Sequence, residues 1–103
     1  MSTRPMVYGY PIPFEGLRIY AAKHQLRGID DAFEHITESV GLYLVVRAFV
    51  ARCGSKGNLL CFTFATNDAE DFMPFENVNP DHIRLIKEYL GIKREPSWWP
   101  KEC

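Results

Sequence analysis

The chain has 103 residues, enough for one domain and too few for two. With 47% hydrophobic, 14% aromatic and 24% charged residues, it has the make-up of a folded globular domain and not of a disordered tail. The formal net charge of −1 argues against nucleic acid or an anionic membrane as partner, since either calls for a strong basic footprint.

The opening stretch MSTRPMVYGYPIPFEG lacks the long apolar core of a secretory signal. The longest apolar run, Leu42 to Val46, is strand-length and far short of the ~18 residues that span a bilayer. Three cysteines, Cys53, Cys61 and Cys103, form no CxxC pair, and an odd number without a signal fits reduced thiols. A cytoplasmic location without membrane contact is therefore expected.

Residues 1–5 are short and polar and are expected to be flexible. Met6 to Tyr10 is rich in β-formers and reads as a short strand or extended arm that Pro11 stops. Pro13 to Gly28 reads as a helix, with Pro13 in its first turn, Phe14, Leu17, Ala21 and His24 on one face, and Gly28 as the residue that ends it. Asp30 is then expected to cap a second helix. Phe33, Ile36 and Val40 form its buried stripe, Asp31, Glu34 and Glu38 its wet face, and Gly41 its end.

Leu42 to Cys53 and Leu59 to Asn67 are β-rich runs separated by the turn signal GSKGN, which predicts a β-hairpin. A five-residue loop would set Val50 opposite Phe62 and Ala48 opposite Phe64. Leu42, Leu44 and Val46 would then face the helices with Phe62 and Phe64. Tyr43, Val45, Arg47, Phe49 and Cys61 would lie on an outer face that is still notably apolar.

Asp68 to Val78 reads as an acidic connection anchored by Phe72, Met73 and Phe75. Asn79, Pro80 and Asp81 open a last helix as N-cap, first residue and first-turn acid. Ile83, Ile86 and Leu90 form its stripe, and Gly91 followed by Ile92 suits a Schellman ending.

The expected fold is thus α+β in (β)ααββα order. A small antiparallel sheet with a central hairpin carries three helices mainly on one face. Residues 6–92 form the domain, and residues 93–103 a tail holding both tryptophans, Trp98 and Trp99. Two strands alone are marginal, so the sheet is expected to gain one from residues 6–10, from the tail or from another chain.

The βααββα order over residues 6–91, with the helix-Gly-strand passage ITESVGLYLVV at residues 36–46, resembles the type I KH domain, an RNA-binding fold. That resemblance implies nucleic-acid binding through a GxxG loop between the first two helices. Here Arg27-Gly28-Ile29-Asp30 stands in its place, followed by Asp31, whose charge would repel phosphate.

No motif for catalysis, metal or cofactor emerges. GSKG joins two strands and lacks the strand-to-helix setting of a phosphate loop. The acids Asp68, Glu70, Asp71 and Glu76 lack the spacing and glycine of a calcium loop. Cys53 and Cys61 fall on one face without further ligands in view. His35 between Asp31 and Glu38 reads as a solvated helix face.

What remains is surface. Tyr43, Val45, Phe49, Trp98 and Trp99 are the expected contacts of a small non-catalytic interaction protein, self-associating or binding a protein partner, because aromatic side chains dominate interface energetics. The alternative is a ligand-binding protein or enzyme with a pocket between sheet and helices, where Tyr20, His24, Arg47 and Cys61 would be the polar groups.

Overall fold

A computed structural model describes residues 5–52 and 58–101. In chain order it contains β1 (Met6–Pro13), α1 (Phe14–Lys23), α2 (Ile29–Ser39), β2 (Arg47–Arg52), β3 (Asn58–Thr66), two 3-10 turns (Ala69–Asp71 and Phe75–Asn77), α3 (Pro80–Leu90) and β4 (Ser97–Pro100). The fold is α+β, with one four-stranded antiparallel sheet in the order β2-β3-β1-β4. Residues 1–4 of the expected flexible start (residues 1–5) lie outside the described residues, as do Cys53, most of the GSKGN turn and Cys103. Among the described residues no helix is long and apolar enough to cross a membrane.

The sheet gains two strands beyond the hairpin, from the arm and from the tail. β1 becomes an inner strand. It runs through Pro11 to Pro13, where the sequence predicts a stop at Pro11. The missing Pro11 N–H is tolerated because β4 pairs only with Met6 to Gly9, so beyond Gly9 one flank of β1 needs no donor. The β1–β3 register breaks at Tyr8/Gly9, where Tyr8 pairs with Ala65 and Gly9 with Thr63, leaving Phe64 as the extra residue of a bulge. There the two backbones approach so closely that a Cβ on Gly9 would lie 1.9 Å from the Phe62 carbonyl oxygen. Only glycine fits.

The hairpin forms, with two corrections. Val50 pairs with Leu60 and Ala48 with Phe62, two residues away from the expected register along β3. A two-residue shift keeps every side chain on its expected face. Five residues, 53–57, still separate the paired ends Arg52 and Asn58, but the connection begins one position earlier than expected. The second correction concerns Leu42 to Val46, which form a turn and not the start of β2. Val45 and Val46 donate to the Leu42 carbonyl (3.0 and 3.1 Å), and Leu44 takes φ +69°. The cause lies in the end of α2. Gly41 adopts φ +74°, and the Leu42 N–H bonds back to the Thr37 carbonyl at 2.8 Å, so Leu42 is tied to the helix before a strand can begin. Leu42 and Val46, four apart on one turn, are buried in the core, and Leu44 is expelled from it.

All three helices end in the same manner. Gly91 at φ +68°, with the Ile92 N–H on the Lys87 carbonyl at 2.9 Å, closes α3 as expected. α1 stops five residues before Gly28. Gln25 takes the left-handed position at φ +57°, and the Leu26 N–H bonds the Ala21 carbonyl at 2.7 Å. Gly28 instead precedes α2 with extended backbone, and the Ala32 N–H bonds its carbonyl, so Asp30 sits in the first turn and is not the cap. At α3 the Asn79 side chain accepts from the Asp81 N–H at 2.9 Å, with Pro80 at the start, as expected.

The main core lies between the helices and one face of the sheet. Leu17, Ala21, Ala32, Ile36 and Ile86 meet Tyr10, Leu60, Phe62 and Phe64 there, joined by Leu42 and Val46. The opposite face carries no helix, yet Val7, Ala51, Cys61, Thr63 and Ala65 are all fully buried on the sheet. The sheet curls toward itself, so that Lys101, just after β4, bridges to Ala51 on β2. Trp99 and Phe49 pack on Val7, Ala51 and Cys61 in a second, smaller core. Small residues at these positions allow the curl.

Candidate functional site

The tail divides its two tryptophans between the faces of the sheet. On the β1–β4 ladder Trp99 stands opposite Val7 and Trp98 opposite Tyr8. Trp99 is half-buried over the helix-free face, and its Nε1 is enclosed with no hydrogen-bond partner among the described residues. Packing of the ring outweighs the ~1–3 kcal/mol cost of that unpaired donor. Phe49 joins it and is flanked by cations, with the Lys101 ammonium 4.4 Å and the Arg47 guanidinium carbon 5.1 Å from its ring centroid. Two of the expected contact residues, Phe49 and Trp99, therefore close the chain's own second core. The outer sheet face is not open.

Trp98 goes the other way. Its ring lies 5.3 Å from Tyr8 and 5.9 Å from Phe75, which itself sits edge-on to Tyr8 at 5.0 Å. Trp98 and Phe75 remain 38% and 52% exposed. Around them runs the connection between β3 and α3. Thr66 donates its N–H to the Met73 carbonyl at 2.8 Å, folding residues 67–73 back along the strand end. The Asp68 carboxylate accepts from the Glu70 N–H at 3.0 Å and so fixes the first 3-10 turn. The chain then turns at Phe72, whose φ of +55° holds the ring out at 88% exposure. The expectation that Phe72, Met73 and Phe75 anchor this connection is corrected at Phe72: Met73 is half-buried and the Phe75 ring packs on Tyr8 and Trp98, while the Phe72 ring faces water.

Two depressions meet along this connection. The larger, about 550 Å³, lies among Phe72, Met73, Phe75 and Trp98, with Asp68 and Glu76 in its wall. The smaller, about 170 Å³, shares Phe72 and Met73 and continues to Val45 and Val46. Val45 is exposed there, and its chain neighbours Tyr43 and Leu44 are exposed as well, Leu44 at 78%. Val45, Phe72 to Phe75 and Trp98 thus form a strip along two adjoining depressions, the smaller of which is also lined by Asn77, Asn79 and His82. Of the expected contact residues, Val45 and Trp98 belong to it, and Tyr43 is exposed two residues before Val45. Phe72, Phe75 and Leu44 were expected to be packed and not to be contact residues, although the surplus of aromatic residues in an acidic connection was a visible signal.

The four polar residues of the expected pocket do not converge. Tyr20 and His24 come together on α1 with rings stacked at 4.1 Å. Arg47 lies at the start of β2, where it donates to the Asp71 carbonyl at 3.0 Å. Cys61 is sealed in the second core, and burial pushes its thiol up to about 12, which leaves it a neutral, unreactive group. Tyr20 instead gathers partners from the other helices. Its hydroxyl is 2.7 Å from His35 Nδ1 on α2 and 2.7 Å from the Tyr89 hydroxyl on α3. Burial, with the bond to Tyr89, raises the Tyr20 pKa, so the phenol stays protonated and serves as a tie between three helices. Among the described residues no three His, Cys, Asp or Glu side chains are placed to hold a metal ion.

In comparisons with protein-family models, with curated proteins and with solved structures, nothing matches this chain.

Proposed function

We propose that the protein is a small non-catalytic interaction module that docks a protein partner on the apolar surface of residues 43–45, 72–75 and 98. The observation that carries this reading is the placement of Leu44 and Phe72. Both are large apolar residues held in water at 78% and 88% exposure, and both sit on left-handed backbone, at φ +69° and +55°. Such backbone costs a non-glycine residue about 1–2 kcal/mol. Leaving either side chain in water forgoes a further ~1.5–3 kcal/mol that burial would supply. The turns themselves serve the fold, at Leu44 by seating Leu42 and Val46 in the core, but the exposure of the two side chains gives the isolated chain no burial energy. A complex that covers the strip gains the second quantity at each residue.

The composition of the strip supports the same reading, since Trp, Tyr, Phe and Met are the residues enriched at interface centres. Chemistry would require convergent polar groups, whereas the larger groove is lined mainly by the apolar side chains of Ala69, Phe72, Met73, Pro74, Phe75 and Trp98.

A photo-crosslinking residue placed at Phe72 tests this. It should yield a discrete adduct with a purified partner or with a second copy, and the adduct should disappear when Phe75→Ser is added. The same crosslinker placed at Lys23, an exposed residue at the end of α1, should yield none. Equal labelling from both positions would overturn the proposal.

A further inference from the structure

Carboxylates rim the larger groove. Asp68 and Glu76 lie in its wall, and Glu70 stands exposed beside Asp68 on the same connection. The fourth acid of this stretch, Asp71, is already neutralised: Lys101 Nζ lies 3.4 Å from its Oδ2, with both side chains largely buried. The other nearby cation, Arg47, donates to the Asp71 carbonyl. Among the described residues Asp68, Glu70 and Glu76 have no ion-pair partner. Among the described residues, the groove therefore combines aromatic walls with negative charge that no ion pair offsets.

We infer that the strip takes a cationic apolar peptide segment, with an apolar side chain seated among Phe72, Phe75 and Trp98 and flanking Lys or Arg side chains set against Asp68, Glu70 and Glu76. This rests on the docking reading above and narrows it to one partner chemistry. Charge selects it over the alternatives. A second copy presenting the same strip across a twofold axis would bring like carboxylates together, which opposes association. A nucleic-acid backbone would meet the same repulsion. Lys and Arg, by contrast, lay apolar stems along aromatic rings while their charged heads reach carboxylates. The protein uses that arrangement within itself, where Lys101 covers the Phe49 ring and pairs with Asp71. A volume near 550 Å³ lies in the range of ligand-sized sites and suits one or two bulky side chains with their backbone.

The test uses three capped nonapeptides that alternate Leu or Phe with Lys, with Gln or with Glu. Binding is read from tryptophan fluorescence at low salt on the wild-type chain, on the double variant Glu70→Gln/Glu76→Gln and on Phe72→Asn. The Lys peptide should bind at least about tenfold tighter than the Gln peptide, and the Glu peptide should not saturate. The double variant should lose roughly three- to tenfold for the Lys peptide, and that difference should vanish near ~0.5 M salt. Phe72→Asn should lose binding altogether. Equal affinities for the Lys and Gln peptides, with no effect of the double variant, would overturn the charge inference and leave the docking reading standing. Failure of every peptide, with the crosslinker at position 72 labelling equally with and without Phe75→Ser, would overturn both. Concentration-dependent dimerisation of the free chain that Phe72→Asn abolishes would replace the cationic segment with a second copy.

Discussion

Trp99 lies opposite Val7 on the β1–β4 ladder and, with Ala51 and Cys61, closes the face of the sheet that carries no helix. Its neighbour Trp98 stands opposite Tyr8 and stays 38% exposed beside Phe75. One tryptophan completes the fold and the other forms part of its accessible surface. Trp99→Ala should therefore lower stability by about 3–4 kcal/mol, as expected for emptying a packed aromatic site, and Trp98→Ala by only about 1–2 kcal/mol. Urea denaturation of the two variants checks this, and equal losses would contradict the division.

Gly9 is the closest point between two strands. A methyl group there would fall 1.9 Å from the Phe62 carbonyl oxygen, and the obstacle is backbone and not a movable side chain. Gly9→Ala should cost more than about 3 kcal/mol or shift the bulge, because relief requires β1 and β3 to separate. Gly16→Ala is the control. Its new Cβ would meet only the Ile12 side chain at 3.8 Å, and the variant should gain up to ~1 kcal/mol from helix propensity.

The left-handed residues give a prediction of opposite sign. Gln25, Leu44 and Phe72 hold φ near +57°, +69° and +55°. Gln25→Gly, Leu44→Asn and Phe72→Asn should each leave stability unchanged or raise it by about 1 kcal/mol, since Gly and Asn accept this backbone. Melting temperatures decide it. If Phe72→Asn is strongly destabilising, Phe72 serves the fold and the account of the strip fails.

Stability should fall at high pH through Cys61. Its thiol titrates near 9 in the unfolded chain and is pushed up to about 12 in the fold by burial. Between those values the unfolded state has released the proton and the folded state has not, so rising pH favours unfolding. The contribution is complete below pH 9 and is lost progressively above it. Denaturation midpoints at pH 7, 9 and 10.5 should decline for the wild type and decline less steeply for Cys61→Ala.

Much of the helical layer was legible in the sequence because its signals are local. Gly41, Gly91 and the Asn79-Pro80 pair mark helix ends through backbone rules that need no tertiary partner. Gln25 broke the same rule: the turn after α1 is set by packing of Leu26 against the core, and tertiary contact overrides the preference for glycine. Leu42 to Val46 misled for a related reason. β-branched and aromatic residues read as strand, but the bond from Leu42 back to α2 decides the path first.

The site was legible only in part. Tyr43, Val45 and Trp98 could be named because apolar residues outnumber the places where one small core can bury them. Phe49 and Trp99 have the same character but were withdrawn from the surface by the curl of the sheet, a non-local event. Phe72 was read as an anchor beside Phe75, since periodicity cannot tell an aromatic that packs, as Phe75 does on Tyr8, from one that left-handed backbone turns outward. The Tyr20–His35–Tyr89 tie joins three helices and likewise has no signature within any one of them.

The most direct test of the strip is amide chemical-shift mapping of the labelled chain titrated with the Lys-containing nonapeptide. The account predicts saturable shifts concentrated at residues 43–46, 66–76 and 97–98, with the helix tie at Tyr20 and His35 undisturbed. Shifts that are absent, that do not saturate, or that gather around Tyr20 and His35 would contradict it.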